Sequence, residues 1–278
     1  MSSLATRWLL WTNILIAASA AGWVVVTTVT LVLPVDWALI GLAFSLALAF
    51  YTRDRLDDRE RHTDLLTMPE RTLWVQRHAV ALKRVVWGGF LGAVVLTAMR
   101  PAALPPILAG LGFALSYTVR WLPWRGRRLG WKHLPGLKMP FVAILWVLIT
   151  VITPAAVYGQ VWQAATWLLA GAVGALIMVQ ILLNDLRDVA GDRLSGTLSL
   201  PALVGEPAAR RIGYALTLAA ALLVLFSAPA SLLLVALYSA FLVWRYRREH
   251  DTRWRGWIEA QGLVAALVLY PVFFLQRI

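Results

Sequence analysis

Three aspartates follow one another at spacings of three and four in "NDLRDVAGDRLSG", residues 184–196, directly behind the apolar run "WLLAGAVGALIMVQILL". On an α-helix positions i, i+3 and i+7 share one face, so Asp185, Asp188 and Asp192 point the same way. Like charges held together repel, and a divalent cation removes that cost. Clustered carboxylate oxygens suit a hard ion such as Mg²⁺, which keeps part of its water and takes phosphate oxygens as further ligands. The chemistry implied is metal-assisted binding of a phosphate or diphosphate.

A second window repeats the pattern. Seven of the nine aspartates fall within 54–64 and 184–192, and Asp54 and Asp57 in "DRLDD" precede Asp185 and Asp188 by the same interval. This reads as an internal duplication that builds a site where the repeats meet. The third position departs from it: Arg61 stands where Asp192 does in the second window, and Asp58 and Asp64 are the substitutes at hand. Basic residues suited to phosphate oxygens lie nearby, with Arg71 in "MPERT", Arg120 in "VRWLPW" and Lys138 in "PGLKMP". Arginine clasps phosphate in a fork, whereas lysine acts as a point charge. The plainer alternative is a pair of solvated loop ends in which Asp57 pairs with Arg61, and Asp188 with Arg187 or Arg193.

The elements that must position these groups are membrane helices. Of 278 residues 60% are hydrophobic, 14% are charged and 15 are tryptophan, with a mean hydropathy of +0.71, which excludes an ordinary soluble domain. Apolar windows near the roughly 20 residues needed to cross a bilayer recur along the chain. Nine are predicted, at about 8–33, 36–52, 79–99, 101–118, 140–158, 161–183, 211–227, 229–244 and 258–275. Alternating ten-residue segments, the mark of a membrane β-barrel, are missing from the sequence. The apolar run near the N-terminus continues past Gly22 and reads as a full span, not a secretory leader. There is no cysteine, so neither disulfides nor thiolate metal ligands are available. The whole chain, 1–278, reads as a single membrane domain.

Charge sets the expected orientation. With the N-terminus cytoplasmic, all of the 26 Lys and Arg except Arg100 and Arg277 fall on the cytoplasmic side, as the positive-inside rule requires. The connections 53–78, 119–139 and 184–211, which carry the candidate residues, share that side. The net charge of +12 therefore reads as topology and attraction to anionic lipid. It is not the continuous basic surface of a nucleic-acid binder. Acidic residues are absent from the interiors of the predicted spans, which argues against a cation-coupled transporter.

"NDLRDVAGDRLSG" followed by "TLSLPALVG" resembles the second aspartate-rich motif of the UbiA superfamily of intramembrane prenyltransferases, through Asn184, Asp185, Asp188, Asp192 and Gly196. "YTRDRLDDRERHTDLLTMPERT" is similar to a variant first motif, and Tyr117 in "SYTVRW" to the tyrosine element after the fourth helix. The resemblance implies an all-α bundle of about nine transmembrane helices around a central cavity open to lipid. In such a bundle Asp54, Asp57, Asp185, Asp188 and Asp192 would be catalytic, with Asp54, Asp57, Asp188 and Asp192 holding Mg²⁺. Asn184, Asp58, Asp64, Arg71, Tyr117, Arg120 and Lys138 would bind substrate. The reaction implied is transfer of an isoprenyl group from a prenyl diphosphate to an aromatic or other lipophilic acceptor. Because Arg61 replaces a carboxylate, a catalytically impaired, isoprenoid-binding homologue is the alternative.

Overall fold

The computed structural model describes residues 4–57, 65, 68–118, 122–124, 127–129, 134–195, 199–227, 229–247 and 251–275. A helix overlaps every predicted apolar window. In chain order these are α1 (Leu4–Trp11), α2 (Ile14–Thr30), α3 (Trp37–Arg55), α4 (Pro69–Arg77), α5 (Ala79–Ala98) and α6 (Leu104–Thr118). There follow α7 (Lys138–Val147), α8 (Thr153–Val157), α9 (Ala164–Ser195), α10 (Leu200–Val204), α11 (Glu206–Ser227), α12 (Leu233–Arg245), α13 (Asp251–Glu259) and α14 (Gln261–Leu275). Four of the resulting rods, Ala79–Ala98, Lys138–Val157, Ala164–Leu194 and Glu206–Phe226, are long and apolar enough to cross a bilayer. Among the described residues, the one β-structure is a short antiparallel hairpin, Leu122–Trp124 against Arg127–Leu129, within the predicted connection 119–139.

Helices α14, α2, α3 and α5 pack side by side, as do α7, α9, α11 and α12. The π-helical turn Leu148–Ile152 against α2 and α12 against α14 join the two rows. α9 is the axis: 72% of its apolar window is buried, against 22% for α5 and 28% for α11. The outer helices turn Leu91, Val94, Leu218 and Leu225 outward, where hydrocarbon tails replace protein as their apolar surroundings.

Two local breaks follow from sequence. Between α1 and α2 the buried Asn13 adopts φ 60°, a left-handed conformation that asparagine tolerates better than most residues. In the rod Lys138–Val157, Pro154 has no N–H for the carbonyl of Thr150 four residues earlier. The Thr27 hydroxyl of α2 donates to that carbonyl at 2.8 Å instead, so a helix defect becomes a bond between helices.

The second aspartate window is helix, not the connection predicted from residue 184 onward. α9 runs on to Ser195, and α11 begins at Glu206 instead of 211. The apolar run ends at Leu183, yet "NDLRDVAGDRLS" contains no proline, so the backbone ladder continues into the polar zone. At roughly 1.5 Å per residue, the 32 residues of α9 reach about 48 Å, well beyond a hydrocarbon core of about 30 Å.

At the end remote from that window, Asp36 ties three connections together. Its Oδ1 accepts from the Ala38 N–H at 2.9 Å, capping α3, while Oδ2 accepts from Arg100 Nε and, at 3.0 Å, from Tyr158 Oη. Burial raises the Asp36 carboxyl, but the Arg100, Tyr158 and Ala38 hydrogen bonds outweigh it and hold the group below its ordinary value of 3.8. A depressed folded-state value gives stability that is present above the unfolded value and lost as pH falls through the folded one. Asp36→Asn is therefore expected to cost roughly 2 kcal/mol at pH 7 and clearly less at a pH well below the ordinary carboxylate range. Thermal unfolding in detergent at the two pH values checks this, and an equal deficit at both would contradict it.

Candidate active site

The polar residues gather where α3 and α9 leave the apolar core. α3 delivers Tyr51, Thr52, Asp54 and Arg55 in its last turns, and α9 delivers Asn184, Asp185, Arg187, Asp188 and Asp192. Arg55 lies in the electrostatic field of Arg255, Arg187, Asp54 and Asp188, which puts both aspartate windows at one end of the bundle. Asp54 and Asp57 are exposed; Asp185 is 2% and Asp192 9% exposed.

Lys138 is the first residue of α7, a poor place for a cation, because the helix dipole puts partial positive charge there. What holds it is opposite charge. Its Nζ lies 2.7 Å from Asp185 Oδ1 and 3.9 Å from Asp192 Oδ1, between two carboxylates that share a face of α9 about two turns apart. The turn before it depends on Gly136 at φ 72°, a left-handed conformation that glycine adopts freely. Arg187 grips Asp188 with both arms of its fork, Nε to Oδ1 and Nη2 to Oδ2, each at 2.7 Å. The pairing of Asp188 with Arg187, foreseen as the plainer alternative, is thus present, but in a largely buried setting and not a solvated loop. One oxygen of the set, Asp185 Oδ2, is buried and has no hydrogen-bond partner among the described residues.

Arg71, on α4, is 5% exposed. Asn184 is half-buried. Asp58, Asp64 and Arg120 lie outside the described residues, as does the Tyr117 side chain. Among the described residues, no three Asp, Glu or His side chains form a group that could hold a metal ion.

Several groups here were not singled out from sequence. Arg255 and Glu259 of α13 form an i,i+4 ion pair at 2.8 Å, each side chain 6% exposed, with Arg255 Nη2 and Glu259 Oε2 lacking hydrogen-bond partners among the described residues. Charges are seldom buried this way unless they serve a site or a partner charge. The i,i+4 spacing was visible, but every surface helix shows such pairs. Tyr51 and Trp146 are joined by a 3.0 Å hydrogen bond from the indole N–H to the phenol oxygen, their rings 6.1 Å apart and edge-on. Tyr51 stands one turn beneath Asp54 and so presents an aromatic face just inside the mouth.

The chain is similar to known proteins in two comparisons. A sequence profile described as the UbiA prenyltransferase family matches residues 75–267. That match begins after the first aspartate window, whose pattern is the less regular of the two. No curated protein sequence matches. A solved structure, described as concerning the biosynthesis of digeranylgeranylglyceryl phosphate synthase in membranes, superposes with a TM-score of 0.53 at 15% identity, covering 96% of this chain and 97% of that one. At that identity the likeness is one of fold, and it extends over the whole bundle.

Proposed function

The chain belongs to the UbiA prenyltransferase family, and on that footing we propose that it transfers an isoprenyl group from a prenyl diphosphate to a lipophilic acceptor within the membrane. The observation that carries this reading is that Asp54, Asp188 and Arg187 lie within electrostatic reach of Arg55 at one end of the bundle, above an apolar core. A donor of this class needs the same division, with a charged head at the polar mouth and a hydrocarbon tail below.

The donor atoms are of the kind Mg²⁺ takes, although among the described residues no three carboxylates are grouped closely enough to hold an ion. Asp185, Asp188 and Asp192 offer hard oxygens on one helix face, and the buried, unpaired Oδ2 of Asp185 has acceptor capacity to spare. Asp54, Asp57, Asp188 and Asp192 would hold the ion, and the Lys138 ammonium already marks where positive charge is favourable. When bound, the ion would neutralise the leaving diphosphate and so favour ionisation. The protein's own groups would do the rest. Lys138 keeps Asp185 and Asp192 from repelling one another. Arg187 fixes the Asp188 carboxylate, Arg55 and Arg71 add positive field for the departing oxygens, and Asn184, Tyr117, Arg120, Asp58 and Asp64 remain candidates for donor contacts. Cleavage of the donor's C1–O bond leaves an allylic cation; the faces of Tyr51 and Trp146 would stabilise it, and the surrounding apolar side chains would keep water away. The acceptor's nucleophilic atom then bonds to C1 and gives up its proton. By the positive-inside rule the aspartate end faces the cytoplasm, with the N-terminus on the same side.

One observation favours a second reading. Lys138 and Arg187 between them already form ion pairs with all three aspartates of α9, as an isoprenoid-binding homologue without catalysis would allow. Purified protein in nanodiscs, given radiolabelled geranylgeranyl diphosphate, Mg²⁺ and a panel of quinone precursors and glycerolipid acceptors, separates the two. Transfer with diphosphate release, abolished by EDTA and restored by Mg²⁺, is expected. Tight donor binding without release under any acceptor would favour the non-catalytic reading.

A further inference from the structure

α11 and α12 meet closely at one height and part beyond it. A Cβ on Gly213 would stand 3.0 Å from Leu182 Cδ2 of α9 and 3.1 Å from Val243 Cγ2, so the three helices touch there. Leu182 lies just before the aspartates of α9, which puts the start of α11 and the end of α12 at the polar mouth. Past the contact the two helices leave a cleft of about 390 Å³, lined by Glu206, Arg210 and Tyr214 on one side and Trp244 and Arg247 on the other. None of these residues belongs to the candidate active site.

Charge distinguishes the two arginines. Arg210 ties the walls together: its Nε and Nη2 hold Glu206 Oε1 at 2.9 and 2.7 Å, and it also donates to the carbonyls of Val243 and, at 2.7 Å, Tyr246. Those carbonyls stand at the end of α12, where no following turn supplies an N–H. Arg210 and Glu206 thus cancel. Arg247 is exposed, and its Nη1 donates to the carbonyls of Trp244 and Tyr246 at 3.1 and 3.0 Å. Among the described residues no carboxylate pairs with it, so the cleft carries one uncompensated positive charge.

The apolar surroundings have a matching shape. Tyr214 and Trp244 are 38% and 61% exposed, amphipathic rings of the kind that settle at a membrane–water interface. From Tyr214 the exposed Leu218, Leu222 and Leu225 continue along α11 at i+4, i+8 and i+11. From Trp244 the exposed Phe241, Leu237 and Leu234 continue along α12 at i−3, i−7 and i−10. Each set forms one ridge. Two apolar ridges of packed neighbours therefore run from a single cationic cleft into the hydrocarbon region.

We propose that the cleft binds the headgroup of an anionic phospholipid, with its phosphate on Arg247 and its acyl chains along the ridges of α11 and α12. An arginine fork suits phosphate oxygens, and basic pockets between helix ends at a membrane surface take such heads. A zwitterionic lipid also brings a phosphate, but its ammonium finds the one carboxylate of the cleft already held by Arg210. A lipid seated there bridges the ends of two helices and so stabilises them. The inference is independent of whether the chain transfers prenyl groups.

The test titrates full-length protein in detergent with phosphatidylglycerol or phosphatidylcholine of identical acyl chains, counting adducts by native mass spectrometry and following melting in parallel. Wild type is expected to retain phosphatidylglycerol about fivefold more tightly, the worth of about one cationic side chain at a membrane surface, and to melt higher with it. Arg247→Gln should bind the two lipids alike and melt as wild type when no lipid is added. Arg77→Gln removes an exposed cation of α4, outside the cleft, and should keep the wild-type preference. Pro207→Glu puts a carboxylate on an exposed lining residue without touching the bonds described, and should abolish the preference. That variant decides the matter if Arg247→Gln melts lower without lipid. Equal binding of the two lipids by wild type, or a wild-type preference in Pro207→Glu, would overturn the proposal. So would an equal loss in Arg77→Gln, which would reduce the effect to general surface charge.

Discussion

Asp188→Ala is expected to slow diphosphate release from geranylgeranyl diphosphate by about a thousandfold, the scale on which removal of a preorganised charge from a reacting site acts. Two properties single out Asp188. It stands one turn beyond Asn184 on α9, and its carboxylate is oriented by both arms of Arg187. Removing it would take away a proposed metal ligand and leave the largely buried Arg187 guanidinium without that carboxylate. Part of the loss is therefore structural, since breaking one side of a buried ion pair costs about 3–5 kcal/mol. Asp188→Asn separates the contributions, because it keeps the shape and most hydrogen bonding but loses the charge. If the ion matters, Asn is as inactive as Ala while unfolding closer to wild type. Asp54→Ala is expected to match Asp188→Ala in rate with little change in stability, because Asp54 is exposed. Release rates within tenfold of wild type for Asp188→Asn would show that its charge takes no part in catalysis.

Gly262→Ala is expected to be the most damaging glycine-to-alanine change among the described residues. α14 crosses α2 at Gly22 and Gly262, where backbone meets backbone. A Cβ on Gly262 would stand 2.7 Å from the Trp23 ring, 2.8 Å from Ser19 Oγ and closer still to the Ser19 carbonyl oxygen; one on Gly22 would meet the Gly262 carbonyl carbon at 2.6 Å. Backbone cannot rotate aside as a side chain can. The crossing also carries a bond: Gly262 is the second residue of α14, its N–H has no partner within its own helix, and it donates to Ser19 Oγ at 2.8 Å. Pushing the helices apart by even 1 Å loses that bond and the packing around Trp23, which is fully buried. A cost above about 3 kcal/mol follows. In size-exclusion chromatography of detergent extracts, Gly262→Ala should run largely as aggregate. Gly88→Ala, where a Cβ would meet nothing within 4 Å, should run as wild type. A monodisperse Gly262→Ala protein with an unchanged melting temperature would mean that the crossing is looser than described.

Much of the bundle was legible because burial in lipid imposes a long apolar run on each helix, and such runs are countable. Helix ends were less so. α9 was expected to stop where its hydropathy stops, at 183, but backbone hydrogen bonding does not depend on side-chain polarity, and it carries the helix to Ser195. The aspartates were recognisable by spacing, since a common face on α9 follows from 3.6 residues per turn. Their partners were another matter. Lys138 was picked out as a cation suited to phosphate, yet its place between Asp185 and Asp192 depends on how α7 leans on α9. Arg255 and Glu259 looked like any exposed i,i+4 pair until α13 was packed against the bundle.

By itself, the order of residues determined a membrane-embedded helical chain with two acidic windows at helix ends, because hydropathy and helical periodicity are local properties. Only tertiary structure decided which charges neutralise one another, that α2 and α14 touch through glycine, and that Arg247 and Trp244 share a cleft with Arg210. Those depend on distances between residues far apart in the chain, and such distances exist only once the helices have packed.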